Sequence, residues 1–254
     1  MKTALAALAA VALLAAAGPL DAAAPRRVVV IAHRGEHLAH RENTLAAYRA
    51  AWEAGADYIE TDVRTTADGK FVILHDRTVD RTTKGKGEVA RMRFDEVRRL
   101  DPEIPTFDEV LAFARGKVGV YIDAKQAGAR DLVEAVVRRR MEDRVVLYGA
   151  PELLAEAARL SPRLPVMPEA VSVEALRRRL DELRPKLVAF DARDFHDATI
   201  ALARQAGAAI YVDRLGPADN PAAWEDAVRR GAAGIQTDYP ARLVDFLRTH
   251  GWRD

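Results

Sequence analysis

DYIETDVRTTADGKFVILHD, residues 57–76, is the stretch whose reading decides the fold. It holds two apolar runs, 56–62 and 71–75. The link between them is too short for a helical crossover, which needs a dozen or so residues. It also contains Ala67-Asp68-Gly69, a tight-turn signal. The spacing predicts that 71–75 returns antiparallel beside its predecessor as a hairpin. Elsewhere the chain alternates short apolar runs with helical periodicity from residue 25 onward. Further strands are predicted over 28–33, 117–124, 144–149, 164–169, 186–191, 208–213 and 233–238. Helices are predicted over 44–54, 94–100, 107–115, 129–141, 152–160, 173–184, 197–206, 221–230 and 241–249. Such alternation implies parallel strands joined by right-handed crossovers. With the hairpin strand set aside, eight parallel strands remain, the number of a (β/α)8 TIM barrel. An open doubly wound sheet is the competing arrangement.

Helix ends support these boundaries. Asn43 or Thr44 can cap the first helix and Gly55 closes it. Thr106-Phe-Asp-Glu109 is a capping box, and Asn220-Pro221 sets a cap before proline at the first helical position. The segment of about 77–106, basic and glycine-containing, reads as an ordered insertion over one rim of the barrel. No low-complexity linker divides the chain after residue 24, so 25–254 reads as one domain.

The apolar runs turn polar at their C-terminal ends. VVVIAHRG (28–35), DYIETD (57–62) and FVILHD (71–76) deliver His33, Arg34, Glu60, Asp62, His75 and Asp76 to one end of the sheet. Barrel enzymes build their sites at that end. Glu60 and Asp62, two apart on a strand, point the same way and can share a hard divalent cation. Two imidazoles supply proton transfer near neutral pH, and an arginine suits a phosphate. The set describes metal-assisted phosphodiester cleavage. Asp123, Lys125, Glu169, Asp191, Asp213 and Asp238 stand at further strand ends; Asp191, Asp213 and Asp238 can equally be caps of the following helices.

Bulk properties exclude some classes. The net charge is +1, and the basic clusters Arg138–Arg140 and Arg177–Arg179 lie in helical patterns rich in Glu and Asp, so no nucleic-acid partner is expected. The absence of cysteine rules out disulfides, thiol nucleophiles and thiolate metal sites. Lys2, the apolar stretch Ala4–Ala17 and the break at Gly18-Pro19 predict a secretory signal peptide over 1–24, too short for a membrane span. The expected location is periplasmic or secreted, with no stable membrane insertion after signal cleavage.

The ordered motifs resemble the glycerophosphodiester phosphodiesterase family. They are His33-Arg-Gly35, Glu42-Asn-Thr44, Glu60-Thr-Asp62, Asp68-Gly69, His75-Asp76, Asp80-Arg-Thr-Thr83 with Gly85 and Gly87, Ile104-Pro-Thr106 and Thr237-Asp-Tyr-Pro240. The resemblance implies a barrel, one divalent cation (Mg²⁺ or Ca²⁺) and hydrolysis of a small-molecule glycerophosphodiester to an alcohol and glycerol 3-phosphate. By position it implies His33 and His75 as the catalytic pair. Glu60, Asp62 and Asp123 become metal ligands, and Arg34 and Lys125 contact the phosphate. Asp123 stands where the family usually has Glu, Arg41 where it commonly has Pro, and Tyr211–Gly216 where better-known members carry a Trp-containing strand. Which histidine is acid and which base stays open, as does the choice between water and a substrate hydroxyl as nucleophile. A lysophospholipase D and a non-catalytic metal- or phosphosugar-binding barrel are the competing functions. The first would need an apolar rim, whereas the insertion's few large apolar residues are Met92 and Phe94.

Overall fold

Residues 58–73 fold as the hairpin that their spacing predicts. β2 (Tyr58–Thr65) pairs antiparallel with β3 (Phe71–Ile73), Val63 opposite Ile73 and Thr65 opposite Phe71. The structure, a computed structural model, describes residues 27–254. The predicted signal peptide over 1–24 lies outside the described residues. The remaining strands are β1 (Val29–Ala32), β4 (Gly119–Gln126), β5 (Val145–Tyr148), β6 (Leu187–Phe190), β7 (Ala209–Asp213) and β8 (Ala232–Thr237). They run parallel in the order β5-β4-β2-β1-β8-β7-β6, with β3 attached to β2 alone. The helices are α1 (Leu45–Glu53), α2 (Phe94–Leu100), α3 (Phe107–Ala114), α4 (Ala129–Arg138), α5 (Pro151–Leu160), α6 (Val173–Leu183), α7 (Asp197–Gln205), α8 (Pro221–Arg229) and α9 (Pro240–Thr249).

The strand expected over 164–169 is not a regular strand. Single bridges, Leu147 to Val166 and Glu169 to Ala189, join this segment to β5 on one side and β6 on the other. The reason is covalent. Pro165 and Pro168 carry no N–H, so they accept from Leu147 and Ala189 but donate nothing. Met167 N–H, donating to Leu147 O, and Ala170 N–H, donating to Ala189 O, complete the seam. Residues 165–170 thus occupy the eighth position and close a (β/α)8 barrel.

Strand alternation divides the side chains into two layers. Val30, Ala32, Ile59, Val63, Val120 and Ile122 face outward and pack under the helices. Ile31, Tyr121, Val146, Met167 and Ala189 face inward and fill the barrel floor, with Tyr58 and Tyr211 against them. Both tyrosine rings need room from a neighbouring strand. A Cβ on Gly119 would lie 2.5 Å from the Tyr58 ring, and one on Gly234 would lie 2.9 Å from the Tyr211 ring. The same parity that buries Tyr58, Tyr121, Ile31 and Tyr211 carries Glu60, Asp62, Asp123, His33 and Asp213 upward to the mouth.

The insertion has its own small core of Val72, Leu74, Val79, Val89, Val97 and Ile104, with Met92 and Phe94 packed on it. Arg41 fastens it to the β1–α1 loop, donating to Thr82 O at 2.8 Å and pairing with the buried Asp101 and with Glu103. The capping predictions hold: Thr44, Thr106 and Asn220 side chains accept from the third residue of α1, α3 and α8 respectively.

Candidate active site

Glu60 and Asp62, on the inward face of β2, are 2% and 1% exposed. Asp123 follows on β4, in register with Asp62. Carboxylate oxygens of all three lie within 4.8 Å of one another. Burial, then the charges of Asp62 and Asp123, pushes the Glu60 carboxyl well above the usual carboxylate range. Burial also raises Asp123, against the pull of Lys125. Such a set is costly unless something positive sits among it. Lys125 Nζ supplies part of the charge, 2.6 Å from Asp123 Oδ2 and 3.5 Å from Asp62 Oδ1.

The first loop locks two of these carboxylates. Arg34 and Asn43 both adopt left-handed backbone, at φ 54° and 59°. That turn lets Arg34 N–H donate to Glu60 Oε2 at 2.7 Å. Asn43 Nδ2 donates to Asp62 Oδ2 at 2.7 Å, and the buried Tyr48 hydroxyl donates to Asn43 Oδ1 at 2.8 Å. The Arg34 guanidinium lies between Glu42 (3.2 Å) and Asp62 (3.6 Å), and its buried Nε has no hydrogen-bond partner.

Each of the two histidines has a carboxylate behind it. His33 Nδ1 is 2.7 Å from Asp238 Oδ1, and His75 Nδ1 is 2.8 Å from Asp76 Oδ1. A carboxylate at Nδ1 favours the tautomer whose proton sits there and leaves Nε2 as the working atom. Among the described residues neither Nε2 is hydrogen-bonded. Asp238 is itself placed from below: Asp219 accepts from Asp238 N–H (2.6 Å), Thr237 Oγ1 (2.8 Å) and Trp224 Nε1 (2.7 Å). Burial opposes ionisation of Asp238, but the hydrogen bond and charge of His33 hold its carboxyl below its usual range. Asp76 is held down by Arg81, then by His75; Arg81 also grips Glu42 at 2.7 and 2.8 Å. Among the described residues Arg64 makes no ion pair with Glu60 or Asp62. Its guanidinium instead donates to the His75 carbonyl at 2.6 and 3.0 Å.

The structure therefore gathers Glu60, Asp62, Asp123 and Lys125 directly, with Arg34 beside them. His75 comes next to them through the end of β3, where Leu74 N–H donates to Asp62 O at 2.9 Å. Sequence reasoning did not find Arg81 or Asp219, and it left Asp238 between a site and a cap. His37, in the β1–α1 loop, lies 3.5 Å from Asp238 and donates from Nδ1 to the His33 carbonyl at 2.8 Å. No periodicity marks these residues; only the Thr237-Asp-Tyr-Pro240 and Asp80-Arg-Thr-Thr83 motifs pointed to their neighbourhood.

Three inward carboxylates and two carboxylate-backed imidazoles at the mouth of a parallel barrel belong to the class of barrel hydrolases acting on phosphoric diesters. The sequence model described as the Glycerophosphoryl diester phosphodiesterase family matches residues 33–242, and the chain belongs to that family. It is 29% identical over 250 residues to a protein of Caldanaerobacter subterraneus named glycerophosphodiester phosphodiesterase, covering 89% of this chain and all of that one. A crystal structure of a glycerophosphodiester phosphodiesterase from Agrobacterium tumefaciens superposes with a TM-score of 0.76 at 28% identity, over 85% of this chain and 99% of that one. An Oleispira antarctica phosphodiesterase, solved with its product sn-glycerol-3-phosphate, shares the fold at a TM-score of 0.74 and 22% identity, covering 87% and 96%.

Proposed function

We propose that this protein hydrolyses glycerophosphodiesters to glycerol 3-phosphate and an alcohol by proton transfer through His33 and His75, at a site that takes one divalent cation. The convergence of Glu60, Asp62 and Asp123 carries the reading. Two buried carboxylates and a partly buried third, with only oxygen donors, suit a hard cation such as Mg²⁺ or Ca²⁺, and the raised proton affinity of Glu60 and Asp123 fits a place that positive charge would relieve. Glu60, Asp62 and Asp123 would hold the ion, which when bound supplies positive charge at the phosphate oxygens. Asp is one methylene shorter than Glu, but β4 brings Asp123 level with Asp62, so the strand provides the reach.

The chain's own groups supply the rest. Lys125 and the Arg34 guanidinium offer donors to non-bridging oxygens. Asp238 and Asp76 fix the two rings with Nε2 presented. One Nε2 takes the proton of the nucleophile and the other gives a proton to the leaving alkoxide. Met92 and Phe94 pack on the insertion's own core rather than forming an apolar rim, which favours a small diester over an acylated one. The apolar stretch Ala4–Ala17 supports export to the periplasm or medium.

Release of glycerol 3-phosphate from a panel of diesters, with chelator and metal add-back, tests the reading. Turnover lost on chelation, restored by Mg²⁺ or Ca²⁺ and absent in His33→Ala supports it. No release from any diester with metal present overturns it.

A further inference from the structure

The β1–α1 loop carries a third imidazole to the mouth, and the proton transfers above make no use of it. His37 follows His33 by four residues. Its Nδ1 donates to the His33 carbonyl at 2.8 Å, which fixes the ring and turns Nε2 towards Asp238 Oδ1, 3.5 Å away. The same oxygen lies 2.7 Å from His33 Nδ1. The two rings meet edge to face with centroids 5.7 Å apart. One carboxylate is thus shared by two imidazoles.

That sharing leaves a demand unmet. In a neutral ring whose Nδ1 holds the proton, Nε2 is a lone pair. A lone pair and a carboxylate oxygen then face each other with no hydrogen between them. Only positive charge relieves the contact, either a proton or a metal ion. A proton on Nε2 would draw the two atoms to about 2.7–2.9 Å, the length of a charge-assisted hydrogen bond. The observed 3.5 Å is longer. A tetrahedral metal with bonds of about 2.0–2.1 Å sets neighbouring ligand atoms about 3.3–3.4 Å apart. One ligand atom from each of His33, His37 and Asp238 lies within 4.8 Å of the other two.

The donors define which ion fits. Two ring nitrogens and one oxygen suit a borderline cation such as Zn²⁺, whereas the all-oxygen set of Glu60, Asp62 and Asp123 suits a hard one. The outer contacts are also those of a zinc site. His37 gives its other N–H to a backbone carbonyl, and Asp238 is held through its own N–H by Asp219 at 2.6 Å. The three side chains are 17–20% exposed, so an ion reaches them from solvent and keeps an open fourth position.

We propose that His33, His37 and Asp238 form a second metal site, selective for Zn²⁺ over Mg²⁺ and Ca²⁺, whose occupation shuts off hydrolysis. The binding stands by itself; the shut-off rests on the phosphodiesterase reading. Zn²⁺ takes the lone pairs of His33 Nδ1, His37 Nε2 and Asp238 Oδ1. The proton that His33 held at Nδ1 moves through solvent to its Nε2, so the neutral rings lose no proton overall. His33 then has no lone pair with which to accept a proton. Its remaining N–H belongs to a neutral ring and is a far weaker acid than an imidazolium. Both roles are lost, whichever histidine is acid and whichever base.

The test titrates Zn²⁺ calorimetrically into the protein in excess Mg²⁺, as wild type, Glu60→Gln, His37→Ala and His37→Gln. Wild type and Glu60→Gln should take up Zn²⁺ alike. His37→Ala should lose at least about 100-fold in affinity, beyond the roughly 10–100-fold that losing an outer partner costs. His37→Gln keeps the loop polar; it should lose uptake too while melting at the wild-type temperature. Co²⁺ in place of Zn²⁺ should give the visible absorption of a four-coordinate site in wild type and in neither His37 variant. The Zn²⁺ concentration that halves turnover, each form judged against its own zinc-free rate, should rise in His37→Ala by the same factor as the affinity falls. No Zn²⁺ uptake in the presence of Mg²⁺, uptake equal in wild type and both His37 variants, or uptake lost in Glu60→Gln would overturn the site. Uptake with turnover unaffected would overturn the shut-off. Uptake lost in the His37 variants, with no diester cleaved by any form, would support the site and sink the phosphodiesterase reading alone.

Discussion

The two halves of the barrel mouth are built from the same kind of strand end and are wired differently. On the side of β1, β2 and β4, each carboxylate has a fixed donor. Arg34 N–H holds Glu60, Asn43 holds Asp62 and Lys125 holds Asp123. On the side of 165–170 and β7, neither Glu169 nor Asp213 has an ion-pair partner among the described residues, and Glu169 meets the Tyr148 hydroxyl. The first half is preorganised: the protein's own donors fix each carboxylate, which is what positioning reacting atoms demands. The second half is uncompensated and gains most from a ligand.

Removing either ring breaks the first half most severely. His33→Ala and His75→Ala should each lower kcat by about 10²–10⁴-fold, the range for losing a general acid or base. Both rings are partly exposed, so melting temperatures should move little. Substrate affinity measured in the same variants should be nearly unchanged. Wild-type turnover in either variant would remove that ring from the chemistry.

The backbone that aims Arg34 N–H comes next. Gly35 has φ +83°, and a Cβ there would meet Ala47 backbone atoms at 2.8–2.9 Å. Gly35→Ala should destabilise the fold by about 2 kcal/mol through steric conflict and left-handed strain. Urea titration measures this. Because α1 carries Ala47, the shift should also loosen Glu60 and weaken metal retention. A variant as stable as wild type would show that the β1–α1 loop tolerates displacement and that its precision is not needed.

Arg81 joins the preorganised half to the insertion, gripping Asp76 and Glu42 together. Arg81→Ala should lower kcat about tenfold through a loosened His75 and cost under about 1 kcal/mol in stability, since the pair is half-exposed. Arg81→Lys should restore little, because an ammonium cannot make both two-pronged contacts. Asp76→Asn should reproduce the loss, and the double variant should be no worse than either single one. Additive losses would mean that Arg81 acts elsewhere.

The preorganised half was legible in sequence because its chemistry is local. His33-Arg-Gly35, Glu60-Thr-Asp62 and Asp123-Ala-Lys125 place polar side chains one or two residues apart at strand ends marked by the switch from apolar to polar. The hairpin of β2 and β3 followed from a link too short to cross over. What escaped notice depends on distant partners. Asp238 meets His33 across the seam between β8 and β1, and Asp219 reaches Trp224, Thr237 and Asp238 from a loop that looks like any polar turn. Residues 164–169 looked like a strand because Leu164, Val166 and Met167 are apolar. Only the N–H count of the two prolines shows why the ladder there shrinks to bridges.

The smallest effect sharpens the comparison from the uncompensated side. Asp213 is pushed up to about 7, first by burial and then by Asp191, Asp123 and Glu169, whereas the unfolded chain's carboxyl titrates near ~3.9. Between those values the folded state holds a proton that the unfolded state has released. The stability tied to that proton is fully present below about pH 4 and is lost as pH rises to about 7. Asp213→Asn carries no such proton, so its stability relative to wild type should improve between pH 5 and pH 8. The gain should be about 1 kcal/mol, discounted from the full linkage value because the side chain is only partly buried and solvent screens it. Chemical denaturation at the two pH values, at equal ionic strength, measures it. Metal should leave most of the difference in place, because Asp213 lies outside the ligand set of Glu60, Asp62 and Asp123. A difference that is flat with pH would mean that Asp213 is ionised throughout and already compensated, and the two halves of the mouth would then be alike.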